Sequence, residues 1–364
     1  MGDSHTGRPD GAGPDGAGPG TGSAGPTDEQ RAAAAAVLPM IWGIHISRAV
    51  YAAAELGIAD LLADGPLTAA QLARATRAHE PSLYRVLRLL ASLGVLTEHG
   101  NRLFGLTVLG ERLRTDVPAS MRSWAMLVES LGGVRSFGPI VETVRTGKPG
   151  LDIAYGVGLF EFLADHPELA QGFQAAMSER TEAFAPSVAG EYDFSQMHAV
   201  ADVGGGKGTL LAAVLRANRH LRGVLFDRPA VTAGAVDVLE AADAADRCDI
   251  VSGDFFESVP AGADGYILAN VLHDWDDARA TEILGNCRRA MAGDGRVLIV
   301  ERLIADDVAA ALPVLLSDLN MLVITGGRER TNAEYGELLT RAGLRPGRVQ
   351  PVAAPYGIIE GLAA

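Results

Sequence analysis

The sequence lacks the features of a disulfide-bonded, secreted or membrane-spanning protein. Its two cysteines, Cys248 and Cys287, cannot build a disulfide framework and favour a reducing compartment. The N-terminus has no basic segment followed by an apolar one, so we expect a cytoplasmic protein. The uncharged stretch between Arg31 and Arg48 is short and contains Pro39, and we therefore expect no membrane span.

Positive charge is also scarce. Lysine and arginine total 31 residues against 45 aspartates and glutamates, which gives a formal net charge of -14. A surface that binds nucleic acid needs clustered positive charge to neutralise phosphates, so we expect neither a nucleic-acid partner nor docking on an anionic membrane. The chain does have size and apolar content. With 364 residues, 48% of them hydrophobic, it can bury more than one core, and we expect at least two domains.

The N-terminal residues 1–27 consist mostly of Gly, Pro, Ala, Asp, Ser and Thr, with almost no apolar side chain to bury. This composition predicts a disordered tail. Good capping residues, Thr27 and Asp28, then precede an alanine run, and they predict the start of the first helix.

Residues 28–115 carry the pattern of a winged helix. The sequence predicts a helix capped at Thr68, a turn, a second helix over residues 81–93 and then a short hairpin. The hairpin strands are expected around residues 95–98 and 103–106. Because the second helix is apolar around most of its surface, it suits burial and dimerisation better than a DNA groove.

Residues 196–364 alternate short apolar runs with helical stretches, which is typical of a parallel sheet with helices on both faces. The predicted strands lie in the segments HAVADV, RGVLFD, CDIVSGD, DGYILANVL and RVLIVERL. A helix capped near Thr331 or Asn332 and two further apolar runs, at 345–351 and 357–362, complete this domain. Residues 116–195, between the two domains, are predicted to be helical.

A glycine-rich loop, DVGGGKG from Asp202 to Gly208, stands where the first of these strands meets its helix. Consecutive glycines let the backbone approach a ligand closely, and the helix N-terminus offers free N–H groups. The spacing differs from the dinucleotide fingerprint, because Thr209 stands where the third glycine would be. Asp202 would repel a pyrophosphate but would tolerate a cationic ammonium or sulfonium group.

Acidic residues also end the next two strands. Asp227, about twenty residues after the loop, can accept hydrogen bonds from both ribose hydroxyls. Asp254 can accept from an adenine amino group while Phe255 or Phe256 packs on the ring. Each feature alone could be ordinary turn chemistry. Three of them at consecutive strand ends predict a nucleoside-type ligand.

The fourth strand leads into His273, which places an imidazole at the carboxyl edge of the sheet, facing the ligand crevice. A neutral imidazole with an ordinary pKa of about 6.5 can take the proton of a phenol as the oxygen attacks. Such a base needs an acidic neighbour to fix its tautomer and stabilise its charge. Glu301, at the end of the fifth strand, and Glu329, in GGRERT, are available.

The acidic residues that follow His273 could be mistaken for metal ligands. Asp274, Asp276 and Asp277 lie close to it in sequence, but consecutive side chains at a strand-to-helix turn diverge. We expect Asp276 and Asp277 to cap the next helix. We therefore predict no metal site.

The motifs of the chain, taken together, resemble those of S-adenosylmethionine-dependent O-methyltransferases that dimerise through a winged helix. This group includes bacterial polyketide tailoring enzymes and plant caffeic acid O-methyltransferase. The resemblance extends from about residue 35 to the C-terminus, and its motifs are LYRVLRLLASLGVL, LFEFLADHPELAQGF, DVGGGKG, GDFF, LHDWDD and GGRERT.

The resemblance implies an α/β fold with three parts that follow the tail. A dimerisation domain at 28–115, all-helical apart from the hairpin, leads into a helical linker and acceptor-pocket segment at 116–195. A Rossmann-like class I methyltransferase domain at 196–364 follows. The family's enzymes are homodimers, so we expect a homodimer formed through the N-terminal domain.

The resemblance also implies a role for individual residues. The cofactor S-adenosylmethionine would be held by Asp202, Gly204, Gly206, Asp227, Asp254, Phe255 and Phe256. The catalytic base would be His273, flanked by Glu301 and Glu329. The wall of the acceptor pocket would include Phe160, Phe173, Met177, Asn270 and Met321. Plant members carry a lysine where this chain has Ala269 and an aromatic residue at Asn270, which predicts a different acceptor.

These observations predict an enzyme that methylates a hydroxyl of a small phenolic or polyketide-type secondary metabolite. Three alternatives remain. The acceptor atom could be an amine nitrogen, since an amine also loses a proton. A relative that binds the cofactor could carry out another tailoring reaction, such as decarboxylation or hydroxylation. More remotely, the winged helix could belong to a ligand-sensing regulator.

Overall fold

The computed structural model describes residues 25–130, 133–305, 307 and 310–364. Of the predicted disordered tail, residues 1–27, the first 24 residues lie outside the described ones. Residues 25–27 have no regular secondary structure. Contacts divide the chain into two compact units, Met1–Ile46 and Ser47–Ala364.

Helix α1, Asp28–Ile41, makes up most of the described part of the first unit. It begins where the sequence predicts, because Thr27 and Gln30 form a reciprocal capping box. Helix α2, Gly43–Glu55, crosses into the second unit. Among the described residues, Asp28–Glu55 is the one stretch long and apolar enough to cross a membrane, a test that core helices and signal sequences also pass. Its exposed large apolar side chains are Val37, Leu38, Met40, Ile41, Trp42 and Ile44.

The second unit begins with the predicted winged helix. Thr68 caps the first predicted helix and forms a capping box with Gln71. The second helix buries Leu83, Leu87 and Leu90, which lie on one face at helical spacing. The helices are α3 Ile58–Leu61, α4 Ala69–Thr76, α5 Glu80–Ser92 and α6 Val108–Glu111. The antiparallel strands, in the order β1-β3-β2, are β1 Leu67–Thr68, β2 Leu96–His99 and β3 Leu103–Leu106.

Short helices fill the segment that was predicted to be a helical linker. Their core packs Leu127, Leu151, Leu159, Phe162 and Val323 together. The helices are α7 Arg122–Ser130, α8 Gly133–Phe137, α9 Ile140–Thr146, α10 Gly150–Tyr155, α11 Leu159–Ala164, α12 Pro167–Glu182 and α13 Ala185–Glu191.

A seven-stranded sheet forms the rest of the second unit, in the order β6-β5-β4-β7-β8-β10-β9. Each of the five predicted apolar runs contains one of the parallel strands β4 to β8, while β10 pairs antiparallel with both β8 and β9. The strands are β4 Ala199–Val203, β5 Arg222–Asp227, β6 Cys248–Ser252, β7 Gly265–Ala269, β8 Arg296–Arg302, β9 Leu344–Pro351 and β10 Tyr356–Ala363.

Helices cover both faces of this sheet, and two separate apolar clusters form its cores. Asp276 and Thr331 cap helices α17 and α19 as predicted, whereas Asp277 is already the first residue of α17 and pairs with Arg330 at 2.9 Å. The helices are α14 Thr209–Ala217, α15 Pro229–Thr232, α16 Ala235–Ala241, α17 Asp277–Ala290, α18 Leu312–Ile324 and α19 Asn332–Arg341. Two 3-10 turns lie at Ala245–Arg247 and Leu272–Asp274.

Candidate active site

A cavity of about 390 Å³ opens at the carboxyl ends of the parallel strands. This is the edge at which open α/β sheets bind ligands. All the predicted site residues line this cavity except Glu301 and Glu329, which lie behind its wall. The predicted residues in the lining are Phe160, Phe173, Met177, Asp202, Gly204, Gly206, Asp227, Asp254, Phe255, Phe256, Asn270, His273 and Met321.

The glycine loop follows β4 directly, and there is no room for a side chain at Gly204 or Gly205. Gly204 has a φ of 71°, and a Cβ there would lie 2.8 Å from the Val271 side chain. Gly206 has a φ of 63°, and its N–H donates to Asp227 Oδ2 at 2.9 Å. Asp227 therefore ties the loop to the end of β5, beside the space where a ligand can approach the backbone.

Asp202 is the last residue but one of β4, just before the loop. Its side chain is 1% exposed, and neither carboxylate oxygen has a hydrogen-bond partner among the described residues. Burial, together with the nearby charge of Asp227, raises the pKa of Asp202 to about 7. A buried, unpaired acid at a ligand-binding edge is expected to be compensated by a donor or a cation that enters with the ligand.

Asp254 and two aromatic residues form another part of the wall. Asp254 Oδ1 accepts from the Phe256 N–H at 2.8 Å and fixes the turn after β6. The ring of Phe256 meets the Trp275 ring edge to face, with centroids 4.7 Å apart. The Arg279 guanidinium lies 3.4 Å from the centroid of Phe256. Trp275 is therefore a half-buried residue of the cavity wall.

The 3-10 turn Leu272–Asp274 holds His273 in a fixed place. Glu301, on the adjacent strand β8, is completely buried. Its Oε1 accepts from the backbone N–H groups of Val271, Leu272 and His273 at 3.1, 3.0 and 3.3 Å. Its Oε2 lies 3.5 Å from His273 Nδ1. One carboxylate thus orients both the turn and the imidazole that the turn carries.

Glu329 is the second carboxylate behind the imidazole. Its Oε1 lies 3.2 Å from His273 Nδ1 and accepts from the Ser317 hydroxyl at 2.6 Å. Arg302 is a further donor to the same oxygen, at 3.4 Å. Two carboxylates face Nδ1, which favours a proton on that nitrogen and leaves Nε2 on the opposite side of the ring.

Charge coupling shifts the pKa values of this cluster far from their usual ranges. Burial acts to lower the pKa of His273, but the carboxylates of Glu301, Asp274 and Glu329 outweigh it and raise the pKa to about 9. Burial raises the pKa of Glu301 to about 7. Burial opposes ionisation of Glu329 too, yet the charge of His273 and hydrogen bonds from His273 and Ser317 lower its pKa to about 2. The ordinary histidine pKa that the sequence analysis assumed is therefore wrong for His273.

The same three side chains could, by geometry, hold a metal ion. One ligand atom from each of His273, Glu301 and Glu329 lies within 4.8 Å of the others. All three are buried, and the hydrogen bonds just described already use several of their acceptor atoms. The acids that sequence analysis weighed as metal ligands, Asp276 and Asp277, do not belong to this cluster.

Aromatic and sulfur-containing side chains form the remaining wall. Phe160 stacks on Trp275 with ring centroids 5.5 Å apart. Phe173 and Met177 are half-buried on helix α12, whereas Met321 on helix α18 is 6% exposed. Asn270 has a left-handed φ of 52° and a buried Oδ1 without a partner in the described chain.

Sequence reasoning missed several polar residues of the cavity. Asp274 was expected to diverge from His273, but its Oδ1 lies 3.7 Å from Nε2 and it lines the cavity. Arg180 also lines it, and a signal for it existed, since it follows Phe173 by seven residues and Met177 by three on one helix face. The further lining residues that sequence did not single out include Trp124, Gln174 and Asn320.

Known proteins are similar to this chain over most of its length. The chain matches the O-methyltransferase dimerisation domain over residues 39–116 and the O-methyltransferase domain over residues 137–345. A phenazine O-methyltransferase of Lysobacter antibioticus is 43% identical over 324 residues, which are 89% of this chain and 94% of that protein. An 8-amino-8-demethylriboflavin N,N-dimethyltransferase of Streptomyces davaonensis is 37% identical and covers 92% of this chain and 97% of its own length.

A solved structure is similar across both domains. It is an O-methyltransferase from neocarzinostatin biosynthesis, in complex with S-adenosyl-L-homocysteine and 1,4-dihydroxy-2-naphthoic acid. The TM-score is 0.77 at 38% identity, and the match covers 88% of this chain and 96% of that one. The match to the dimerisation domain indicates that the chain forms a homodimer.

S-adenosylmethionine, the cofactor of this family, fits the residues present. The glycine loop would admit its amino-acid part without a Cβ clash, and the unpaired Asp202 carboxylate suits a cationic ligand. Asp227 and the aromatic pair Phe255 and Phe256 stand at the strand ends that follow. The chain belongs to the S-adenosylmethionine-dependent O-methyltransferases, homodimeric enzymes that act on aromatic secondary metabolites.

Proposed function

We propose that this enzyme methylates a hydroxyl group of a small aromatic secondary metabolite and that His273 is the general base. The observation that carries the proposal is the orientation of the imidazole. Two buried carboxylates face Nδ1, at 3.2 and 3.5 Å, and His273 lines the cavity that also contains the glycine loop. A base held in this way removes the acceptor's proton without having to reorganise.

The raised pKa of His273 suits an acceptor that is a weak acid. A phenol has a pKa of about 10, so transfer of its proton to an imidazole with a pKa of about 9 is nearly balanced. An ordinary imidazole would accept that proton less favourably. The same carboxylates stabilise the imidazolium that forms, which is the function that we assign to Glu301 and Glu329 as positioning residues.

S-adenosylmethionine, when bound, supplies a methyl group already activated by its sulfonium. The protein's task is therefore to align the acceptor, to exclude water and to remove one proton. We assign the glycine loop, with Gly204 and Gly206, and Asp202 to the amino-acid part of the cofactor. Asp227 would accept from the ribose hydroxyls.

Asp254, with Phe255 and Phe256, would hold the adenine. The acceptor would lie against a largely apolar wall, which suits a flat aromatic ring. That wall consists of Phe160, Phe173, Met177 and Met321, together with the polar Asn270. We further propose that residues 28–115, 116–195 and 196–364 act as dimerisation domain, linker and catalytic domain, and that the enzyme works in the cytoplasm.

The proposal is tested by supplying S-adenosylmethionine and a panel of phenols, hydroxynaphthalenes and hydroxyphenazines, and by identifying the products by mass spectrometry. We expect S-adenosylhomocysteine and an aryl methyl ether in equal amounts. Formation of neither product with any hydroxylated acceptor would contradict the proposal.

N-methylation is the second candidate, favoured by the similarity to the riboflavin-type N,N-dimethyltransferase. An arylamine is far less acidic than a phenol before methylation and loses its proton only afterwards. A base is then less important for the rate. If aminoaromatic acceptors are methylated and His273→Gln leaves that rate unchanged, the N-methyl assignment replaces ours.

A further inference from the structure

Arg180 is a charged residue of the cavity to which methyl transfer gives no task. It lies on helix α12, Pro167–Glu182, and shares a face with Phe173 and Met177, because positions three, four and seven residues apart align on a helix. All three residues line the cavity, and all three are half-buried. The guanidinium thus belongs to the same wall as the proposed acceptor contacts.

The charge of Arg180 has no ion-pair partner within the described part of the chain. No carboxylate there lies within 4.0 Å of its nitrogens, and its Nε is buried without a hydrogen-bond acceptor. The adjacent acid, Glu179, is used elsewhere, since its Oε1 accepts from the Ser123 hydroxyl at 2.5 Å. The contact that the guanidinium does make is with the ring of Trp124, 5.8 Å from its centroid.

An arginine in this position costs free energy. Its guanidinium keeps its charge, and the buried Nε donor has no acceptor within the described residues, which leaves that donor unsatisfied. Burial lowers the pKa of Arg180 and Arg302 acts in the same direction, whereas Tyr356, Asp274 and Glu301 act to raise it. A planar anion that enters the cavity would satisfy the Nε donor.

We propose that Arg180 binds a carboxylate of the acceptor, so that the enzyme selects hydroxylated aromatic acids over their neutral analogues. This inference rests on the methyl transfer proposed above and names the class of acceptor. The carboxylate and the reacting hydroxyl are then held by different elements, one by helix α12 and the other by the turn that carries His273. Two such attachment points fix the plane and the direction of the ring.

A carboxylate in this cavity could also be that of the cofactor's methionine part. The helix itself argues for the acceptor. Gln174 Oε1 lies 3.8 Å from the Cβ position of Gly206, so that turn of α12 faces the glycine loop. Arg180 is about 9 Å further along the helix axis, at about 1.5 Å per residue. The acids that attract it, Asp274 and Glu301, are the ones beside the His273 ring, at 3.7 Å from Nε2 and 3.5 Å from Nδ1.

The test measures binding rather than turnover. Isothermal titration of the full-length dimer, saturated with S-adenosylhomocysteine, would compare 1,4-dihydroxy-2-naphthoic acid and 3,4-dihydroxybenzoic acid with their carboxamides. We expect at least one acid to bind about 10- to 100-fold more tightly than its amide, as for a charge-assisted bidentate pair. Arg180→Gln should reduce the acid to the affinity of the amide and leave the amide unchanged. Arg180→Lys should retain part of the preference.

Arg135→Gln is the matched control. Arg135 is an exposed arginine that does not line the cavity, and its Nη2 donates to the Ala154 carbonyl oxygen at 3.1 Å, so its removal should leave the ratio of acid to amide affinity as it was. The inference is wrong if neither acid binds, if wild type does not distinguish acid from amide, or if Arg180→Gln weakens both equally, as a structural role would. It is also wrong if the variant loses affinity for S-adenosylhomocysteine while the preference for the acid persists.

Turnover separates this inference from the proposed function. If no acceptor, acidic or neutral, yields S-adenosylhomocysteine, the methyl-transfer proposal fails, and the titrations still report on Arg180. If acids and amides are methylated with equal kcat/KM, methyl transfer stands and the inference about Arg180 fails.

Discussion

The two sides of the cavity differ in burial and in how many of their polar groups are paired within the protein. On the side of the base, His273, Glu301 and Glu329 are almost fully buried and held by hydrogen bonds that all come from the chain itself. On the facing side, helix α12 presents half-buried residues, and the Nε of Arg180 there has no acceptor within the described part of the chain. Such a division lets the chemistry stay fixed while the acceptor changes, because the chain itself holds the base, whereas the facing wall leaves a polar atom for the ligand.

The strongest way to break this comparison is to remove the base. His273→Gln keeps a side chain of similar size, and we expect kcat to fall by about 100- to 10,000-fold, the usual contribution of a general base. Affinity for S-adenosylhomocysteine, measured by titration, should not change. A variant that retains near wild-type turnover would show that the acceptor loses its proton elsewhere.

Two variants of Glu301 distinguish its role in holding the backbone turn from the role of its negative charge. Because its Oε1 accepts from three backbone N–H groups, Glu301→Ala leaves three buried donors unsatisfied, and we expect the free energy of unfolding to fall by about 3 kcal/mol. Glu301→Gln keeps an oxygen for those donors and should lose much less stability, yet still lose activity. Urea denaturation measures the first effect and kcat the second. Equal stability of the two variants would show that the turn does not depend on this carboxylate.

The dependence of kcat/KM on pH tests the electrostatic effect of the carboxylates on His273. His273 must be neutral to accept a proton, so kcat/KM should rise with pH until about 9, the pKa of the imidazole. Glu329→Gln removes a negative charge that favours the imidazolium. The pKa of His273 must then fall, and the rise in kcat/KM should move to lower pH. If the midpoint stays where it is in the wild type, Glu329 does not set the pKa of the base.

The smallest effect is expected on the acceptor wall. Met177→Ala removes a half-buried side chain worth about 1 kcal/mol of apolar contact, so we expect the acceptor KM to rise about fivefold while kcat holds. Thermal unfolding should hardly change. A loss of kcat comparable to that of His273→Gln would mean that this wall positions the reacting hydroxyl, and the contrast between the two sides would fail.

Local sequence signals were sufficient for most of the fold. Thr27, Thr68, Asp276 and Thr331 cap helices where the sequence predicts them, because a cap depends on residues only three positions away. The five parallel strands were readable for a similar reason. The antiparallel insertion of β10 between β8 and β9 was not, since strand order depends on pairing between distant segments.

The candidate site, too, could be predicted from the sequence only in part. Strand-end positions gave the cavity lining around the glycine loop and His273, because the carboxyl ends of parallel strands meet at one edge. Three features depend on tertiary contacts that have no local pattern. Glu301 accepts from the backbone of another strand's turn, the pKa of His273 rises to about 9, and Arg180, whose helix face was readable, has no ion-pair partner in the described part of the chain.

The buried carboxyl of Asp202 has a consequence for handling the enzyme. Its folded-state pKa, about 7, lies above the ordinary value for aspartate, about 4, so the stability of the folded protein falls as the pH rises between these two values and stays reduced above them. His273 acts in the same direction, because the stability gained from its charged form disappears as pH passes about 9. The alkaline conditions that leave His273 neutral therefore destabilise the enzyme that has no bound cofactor. Bound S-adenosylmethionine, which brings positive charge to Asp202, should protect it there.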